Sequence, residues 1–259
     1  MIAARLKGGL GNQMFQICAA YAAARDNNDD FIIDYKIKHH SGQGHKHLKY
    51  KDNLYSSIPT GKFDEAEATL YGEPTFSYTP IPPYSGNILI DGYFQSEKYF
   101  MKHRKDVLKL FTFPKDAISG AIKRLQKIKN HFEREEAVCV HVRRGEYLQL
   151  QDIHIVQPKE YYLNAMSQFD ESKTVFIVIS DDMKWCIDNL NYHKTAFCNT
   201  GYDYDTKPVV DDLCELFDLY ISSLCDHNII PNSSFGWWGA WLNKNQKKAV
   251  IDINGPCLI

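Results

Sequence analysis

The sequence predicts an α/β fold in which the second half of the chain forms a parallel sheet covered by helices on both faces. In that half, continuous apolar runs typical of buried parallel strands alternate with helical patterns. A glycine-rich turn joins an apolar strand to an Ala-rich helix at the start of the chain, and a polar run at 134–136 separates the two halves. We therefore predict two domains, 1–135 and 136–259.

Composition limits the classes of partner and the cell compartment. The 259 residues suffice for one large or two modest domains, and a net charge of −2 gives no basic surplus for nucleic acid. No apolar run approaches the ~20 residues that span a bilayer, and no signal peptide is recognisable. The seven cysteines lack C-x-x-C spacing, which favours buried free thiols in a reducing compartment. We expect a cytoplasmic protein with a small-molecule partner. The sequence carries no signal that predicts the oligomeric state.

The first βα unit contains a turn with three glycines in four residues. Residues 2–6 are predicted to be a strand, and Phe15, Ala19 and Ala22 mark the buried face of the helix that follows. Glycine permits a positive φ and a close approach of a ligand, and a helix N-terminus favours an anion. The pattern matches neither G-x-G-x-x-G nor G-x-x-x-x-G-K-[ST]. Two interpretations stay open: a phosphate or sugar site, and a tight turn without a ligand.

The rest of the first half begins with a basic loop. Residues 36–51 carry four histidines and five lysines without an apolar period, and we interpret them as an exposed loop that could contact an acidic or lipid-linked acceptor at a membrane surface. The alternative is a metal site, although no Cys or carboxylate lies among the histidines to complete a shell. Those histidines are His39, His40, His45 and His47. Further along, residues 88–90 predict a strand, and residues 96–110 and 116–132 predict helices.

The second half alternates strands and helices. Strands are predicted at 137–142, 174–180, 194–200, 227–230 and 248–253, and helices at 158–169, 183–190, 210–225 and 235–242. In sheets of this kind, ligands bind beyond the carboxyl ends of the strands. The residues that follow each strand are therefore the ones that carry functional information.

Two adjacent arginines follow the first strand of this half. Each guanidinium of Arg143 and Arg144 needs a carboxylate or a phosphate to satisfy its donors. A structural pair with Glu146 is the alternative to a ligand. Asp181 and Asp182 follow the second strand, where they could also cap the next helix.

A third polar segment precedes an aromatic-rich helix. Asn232, Ser233 and Ser234 offer hydroxyls and free N–H groups at a helix N-terminus, while the tryptophans at 237, 238 and 241 are interpreted as packing residues. The arginines, the hydroxyls and this helix end together predict a site for a nucleotide diphosphate without a set of metal ligands. The sequence Asp203-Tyr204-Asp205 leaves open a second possibility, in which Mg²⁺ or Mn²⁺ holds a nucleotide-sugar.

Five segments resemble, in this order, the motif series of the α-1,2-fucosyltransferases of glycosyltransferase family 11. They are GGLGNQMFQ, DGYFQSEKYF, HVRRGEY, ISDDMKWC and NSSFGWWGAWL, and the resemblance covers nearly the whole chain. It implies a GT-B-like architecture of two Rossmann-like domains facing a cleft. It also implies GDP-fucose as donor, no metal or other cofactor, and inversion of the β-linked donor into an α-fucoside on O2 of a galactose-containing glycan.

The resemblance also assigns roles to the residues that match the motifs. Arg143 falls on the arginine that would stabilise the departing GDP, and Asn12 and Glu146 are the other candidate catalytic residues. Glu146 and Asp91 are both candidates for the general base, and neither is preferred. Donor binding is assigned to Gly9, Gly11, Gln13, His141, Arg144, Asp181, Asp182, Asn232, Ser233, Ser234 and Phe235.

Two residues depart from the family pattern. Glu146 stands where the family usually has Asp, and Gly236 stands where it usually has Ser. A longer carboxylate and a lost hydroxyl could change donor affinity or acceptor choice. Transfer with another linkage, another GDP-sugar as donor, and an inactive GDP-sugar- or glycan-binding protein therefore stay open as alternatives.

Overall fold

The computed structural model describes residues 1–37, 47–152, 154–191, 194–197 and 214–257. The chain divides into two units, of which unit 1 is Met1–Phe113 and unit 2 is Pro114–Ile259. Each unit contains a sheet of mainly parallel strands with helices packed on it, which confirms the predicted α/β class.

Unit 1 is built on a four-stranded parallel sheet. Its elements are β1 (Ile2–Ala4), α1 (Leu10–Asp26), β2 (Phe31–Ile32), β3 (Thr69–Gly72), β4 (Ile88–Asp91) and α2 (Arg104–Leu110). The strand order is β2-β1-β4-β3, and every neighbouring pair is parallel. The central strands β1 and β4 are apolar and buried, whereas the edge strand β3 is largely exposed.

Unit 2 is built on a six-stranded sheet. Its elements are α3 (Lys115–Phe132), β5 (Glu136–Val142), α4 (Lys159–Met166), β6 (Thr174–Ser180), α5 (Met183–Asn189), β7 (Thr195–Phe197), α6 (Cys214–Leu224), β8 (His227–Ile229), α7 (Ser234–Leu242), β9 (Val250–Asp252) and β10 (Gly255–Cys257). The order is β10-β9-β8-β5-β6-β7, and only the β9–β10 pair is antiparallel among the described strands. After β5 the chain adds strands first on the β6 side and then on the β8 side, so the topological switch point lies between β5 and β8.

The division between the units comes earlier than the boundary that we expected near residue 135. Ala121 and Ile128 of α3 are buried in one cluster with Ile177 of β6 and Ile221 of α6. Because its apolar face belongs to this core, α3 is part of unit 2. Glu133 ends α3 in the left-handed conformation, Arg134 and Glu135 form the connection that follows, and Glu136 begins β5.

Two expectations from composition concern membrane spans and thiols. Over the described ranges, the chain has no helix with the length and apolar character that a membrane crossing requires. Cys18, Cys139, Cys186 and Cys225 are buried free thiols, as their apolar surroundings predicted, and Cys214 is a half-buried one.

Candidate functional site

The polar segments predicted in unit 2 gather at one edge of its sheet. Arg143 follows β5, Asp181 follows β6, and Asn232 lies between β8 and α7. Because β5 pairs in parallel with both β6 and β8, the carboxyl ends of all three strands lie side by side. This edge includes the switch point, where open α/β sheets bind their ligands.

The Arg143 guanidinium is held by two carboxylates and a ring. One of its terminal nitrogens donates to Asp181 Oδ2 and the other to Glu146 Oε1, each at 2.5 Å. The guanidinium also lies 5.1 Å from the centre of the Tyr147 ring. Glu146 is 60% exposed and Asp181 27%, so Asp181 is the more enclosed partner. The arrangement orients a cationic fork while leaving part of it open to solvent.

Arg144 is fixed by the segment that follows β6. Its Nε donates to Asp182 Oδ2 at 3.0 Å, and its backbone N–H donates to Asp181 Oδ1 at 2.9 Å. The guanidinium also stacks 4.0 Å from the centre of the Trp185 ring. Asp182 accepts from the Trp185 backbone N–H as well, so one carboxylate caps α5 and orients Arg144. Both aspartates thus contact the arginines, and their contact with the donor stays a prediction.

His141, near the end of β5, is a buried neutral imidazole. Its ring lies 5.3 Å from that of Phe235, and within the described chain Nδ1 has no hydrogen-bond partner. Burial, and secondarily the Arg143 charge, lowers the pKa of His141 to about 3. A Cβ at Gly236 would lie 2.5 Å from His141 Nδ1, so this packing suits glycine at a position where the family usually has serine.

The loop before α7 is tied to the turn after β5. The Tyr147 hydroxyl donates to the Asn232 carbonyl oxygen at 3.3 Å, and Gln157 Nε2 donates to Asn232 Oδ1 at 3.3 Å. Ser233 is the N-cap residue of α7 in extended conformation, but its side chain does not cap the helix among the described contacts. Tyr147, Gln157 and Trp185 are not among the site residues that the sequence predicted. The only signal for Tyr147 was its place one turn after Arg143.

In unit 1, side-chain amides hold the glycine-rich turn. Gly8 has φ +76°, and a Cβ there would collide with the Asn12 side chain. Gln13 is buried, its Nε2 donates to the Gly8 carbonyl oxygen at 2.9 Å, and its Oε1 accepts from the Tyr55 hydroxyl at 3.2 Å. Gln13 therefore holds the turn, and its contact with the donor stays a prediction. Gln95 Nε2 donates to Asn12 Oδ1 at 2.7 Å.

Gly9 and Gly11 differ from Gly8 in their surroundings. A Cβ added at Gly9 would meet no heavy atom within 4 Å, so the turn is open at this glycine. Gly11 is buried in the first turn of α1. The open position at Gly9 is the one at which a ligand can approach the backbone.

Asp91, a candidate base, ends β4 in an ion-pair network. It accepts from Arg5 and from Lys7, each at 2.7 Å, and Arg5 also pairs with Glu65 at 2.9 Å. Burial alone would raise the pKa of Asp91, but the hydrogen bonds and charges of Lys7 and Arg5 outweigh it and lower the pKa below its ordinary value. A carboxylate stabilised in this way is a weak base.

The metal alternatives fall on other parts of the chain. Asp203 and Asp205 lie outside the described residues, as do His39, His40, His45 and the side chain of His47. Among the residues that the structure describes, no group of three or more His, Cys, Asp and Glu side chains is arranged to hold a metal ion.

Several glycosyltransferases are similar to this chain in sequence over most of its length. The alpha-1,2-colitosyltransferase of Escherichia coli is 28% identical, with 93% of this chain and 87% of the relative covered. The O-antigen biosynthesis glycosyltransferase WbnK of Escherichia coli is 27% identical, with 95% and 91% covered. A galactoside 2-alpha-L-fucosyltransferase of Caenorhabditis elegans is 29% identical, with 95% and 70% covered.

The solved structure of fucosyltransferase NodZ from Bradyrhizobium matches with a TM-score of 0.61 at 11% identity, and covers 98% of this chain and 95% of that one. This likeness confirms the GT-B-like fold class. The model of glycosyl transferase family 11 matches residues 1–256. Because that match extends through both units, the chain belongs to glycosyl transferase family 11, as its motifs predicted.

Proposed function

We propose that the protein transfers L-fucose from GDP-fucose to O2 of a terminal galactose in a glycan acceptor. Two of the relatives are named for α-1,2 or 2-α transfer, one of colitose and one of fucose to galactosides. The observation that carries the proposal is the pair of oriented arginines at the switch point of unit 2, a site suited to a sugar nucleotide diphosphate.

The proposed diphosphate contact replaces one carboxylate partner of Arg143. Glu146 is the more exposed of the two partners, so it is the one that a phosphate oxygen displaces more easily. Asp181 then keeps the guanidinium oriented from the other side. The N-terminus of α7 supplies N–H groups on the neighbouring strand end, and Arg144 adds a second charge.

The proposed reaction is a single displacement with inversion. The acceptor O2 attacks the anomeric carbon of fucose on the face opposite to GDP, the bond from that carbon to the phosphate oxygen breaks, and the acceptor proton passes to a base. GDP leaves with one more negative charge, which Arg143 stabilises without a metal ion. Both candidate bases are ion-paired, because Lys7 and Arg5 stabilise ionised Asp91 and Arg143 donates to Glu146. The activity of a Glu146→Gln variant tests whether Glu146 is the general base.

The first experiment combines a chelator with a matched pair of variants. Purified protein is incubated with GDP-fucose and a panel of β-galactosides in excess EDTA, and GDP release is followed together with product mass and linkage. We expect an α-1,2-fucoside in EDTA and a fall in kcat of about 10²- to 10³-fold for Arg143→Ala. Arg25→Ala, which removes an exposed arginine of α1, serves as the control and should keep full activity.

Three outcomes would contradict the proposal. Activity that EDTA abolishes and Mn²⁺ restores would exclude the metal-free mechanism and favour Asp203 and Asp205 as ligands. Binding of GDP-fucose without product or GDP release would indicate a binding protein. A product with another linkage would retain the donor and exclude the proposed acceptor position.

Colitose is the second candidate for the transferred sugar. The relative at 28% identity is a colitosyltransferase, and colitose is L-fucose without its 3-hydroxyl group. Parallel assays with GDP-fucose and GDP-colitose decide between the two. If kcat/KM for GDP-colitose is at least tenfold above that for GDP-fucose, colitose rather than fucose is the transferred sugar.

A further inference from the structure

An exposed aromatic ring lies close to the carboxyl ends of the strands of unit 1. Phe76 is 84% exposed, more than any other large hydrophobic side chain in the described residues. Its ring lies nearly parallel to that of Tyr93, with 6.5 Å between the centroids and 22° between the planes. Phe76 follows β3 and Tyr93 follows β4, so the pair stands beside the end of the sheet.

The loops that carry the two rings are held by hydrogen bonds. The Glu73 carboxylate accepts from the backbone N–H of Tyr93 at 2.6 Å and from that of Phe94 at 3.0 Å. The two residues that flank Phe76 are also bonded to each other, since the Thr75 hydroxyl accepts from the Ser77 N–H at 3.2 Å. Phe76 therefore lies exposed within a turn that the Thr75–Ser77 hydrogen bond closes.

Charged groups border the ring pair on the side of Tyr93. Lys7 Nζ lies 5.1 Å from the centre of the Tyr93 ring and 2.7 Å from Asp91 Oδ1. The side chains of Lys7 and Asp91 are 20% and 22% exposed, so both can be reached from solvent. A flat apolar surface next to an ammonium and a carboxylate suits a ligand that has an apolar face and a rim of hydroxyls.

We propose that Phe76, backed by Tyr93, is a stacking surface for a galactose ring of the acceptor. The axial 4-hydroxyl of galactose leaves the C3, C4 and C5 hydrogens on one face, and these weakly positive hydrogens complement the negative face of an aromatic ring. The choice of galactose rests on the proposed function, whereas the surface itself rests on the contacts of Phe76, Tyr93 and Lys7.

The test measures binding separately from turnover. Saturation-transfer NMR with methyl β-D-galactopyranoside as the probe compares wild-type protein with Phe76→Ala, Phe76→Trp and Leu70→Ala. Leu70 is 57% exposed on the adjacent strand β3, so its variant removes a similar apolar area without a ring. We expect saturation at H3, H4 and H5 in wild type, Phe76→Trp and Leu70→Ala, and at least a fivefold loss in Phe76→Ala.

Kinetics of transfer give the second readout. The KM for the acceptor should rise about tenfold in Phe76→Ala, an effect of the size expected for a lost ring contact, while kcat and the KM for GDP-fucose stay within about twofold. Phe76→Leu should behave like the alanine variant because it keeps apolar area and loses the flat face.

Each outcome separates this surface from the proposed function. Transfer to galactosides with an unchanged acceptor KM and unchanged saturation in Phe76→Ala would overturn the surface and leave the proposed function intact. Galactoside binding that depends on Phe76, without any transfer, would support the surface and overturn the function. A change in sedimentation of Phe76→Ala with an unchanged acceptor KM would also overturn the surface, because Phe76 would then contact another copy of the chain.

Discussion

Arg143 donates hydrogen bonds to two carboxylates of its own unit. Its two terminal nitrogens donate to Asp181 and Glu146, a forked geometry that the single nitrogen of a lysine does not reproduce. The neighbouring Arg144 donates instead from Nε to a single carboxylate, that of Asp182. The two aspartates after β6 therefore orient the arginines that follow β5.

The buried imidazole of His141 predicts a pH dependence of stability. The unfolded chain takes up a proton at this histidine near pH 6.5, whereas in the folded protein burial and the Arg143 charge lower the pKa to about 3. Between these values the unfolded state binds more protons, so the free energy of unfolding falls as the pH drops below 6.5. The contribution of His141 to this slope is at most about 1.4 kcal/mol per pH unit.

Urea unfolding at several pH values between 7 and 4 checks this prediction. His141→Asn should show a shallower loss of stability than wild type over that range, while His131→Asn, which changes an exposed histidine at the end of α3, should keep the wild-type slope. Equal slopes in the wild type and His141→Asn would mean that the imidazole is not kept neutral by the fold.

At the scale of elements, the turn before α1 contains two glycines with different roles. Gly8 has a positive φ and no room for a Cβ, whereas Gly9 has room for one. Gly8→Ala should lower the free energy of unfolding by about 1–2 kcal/mol, because it forces a side chain into the left-handed region and against Asn12. Gly9→Ala should cost less, about 0.5–1 kcal/mol, because a Cβ there meets open space and the loss comes only from alanine being a poorer N-cap of α1 than glycine.

Chemical unfolding and transfer assays on the two variants give the comparison. If Gly9→Ala keeps most of its stability and loses activity, the backbone at this glycine contacts a ligand. Equal destabilisation of both variants would show that the turn does not have the conformation described.

The elements that could be predicted are those whose pattern depends on burial alone. Residues 137–142 and 174–180 are continuous apolar runs, and they form the buried central strands β5 and β6. The helix predicted at 96–110 is instead two short 3-10 turns followed by α2, because Phe100 leaves the helical region with φ −138°. Strand β3 was missed because it is a short exposed edge strand without an apolar face.

The site residues divide in a similar way. The arginines could be found because a charged fork after a buried strand requires a partner. Their actual partners, and the roles of Tyr147 and Gln157, depend on contacts between distant segments. The Tyr147 hydroxyl reaches the carbonyl oxygen of Asn232, 85 residues away in sequence. No local pattern encodes such a pairing, so the sequence indicated which strand ends carry the polar segments but not the bonds between them.

At the scale of the whole molecule, the division of the chain before α3 predicts which fragment folds. A fragment of residues 114–259 retains α3 over the core that contains Ile177 and Ile221, whereas a fragment of residues 136–259 exposes that apolar surface. We expect cooperative thermal unfolding and dispersed NMR signals from the longer fragment only. A shorter fragment as stable as the longer one would place the boundary at the polar run.

The ion pairs at the switch point of unit 2 also determine how an anion meets the protein. Two arginines and three carboxylates, Asp181, Asp182 and Glu146, sum to a formal charge of 2 − 3 = −1, and the whole chain carries −2. A negatively charged ligand is therefore not drawn in from a distance by the field of the protein, and its association rate should vary little with ionic strength.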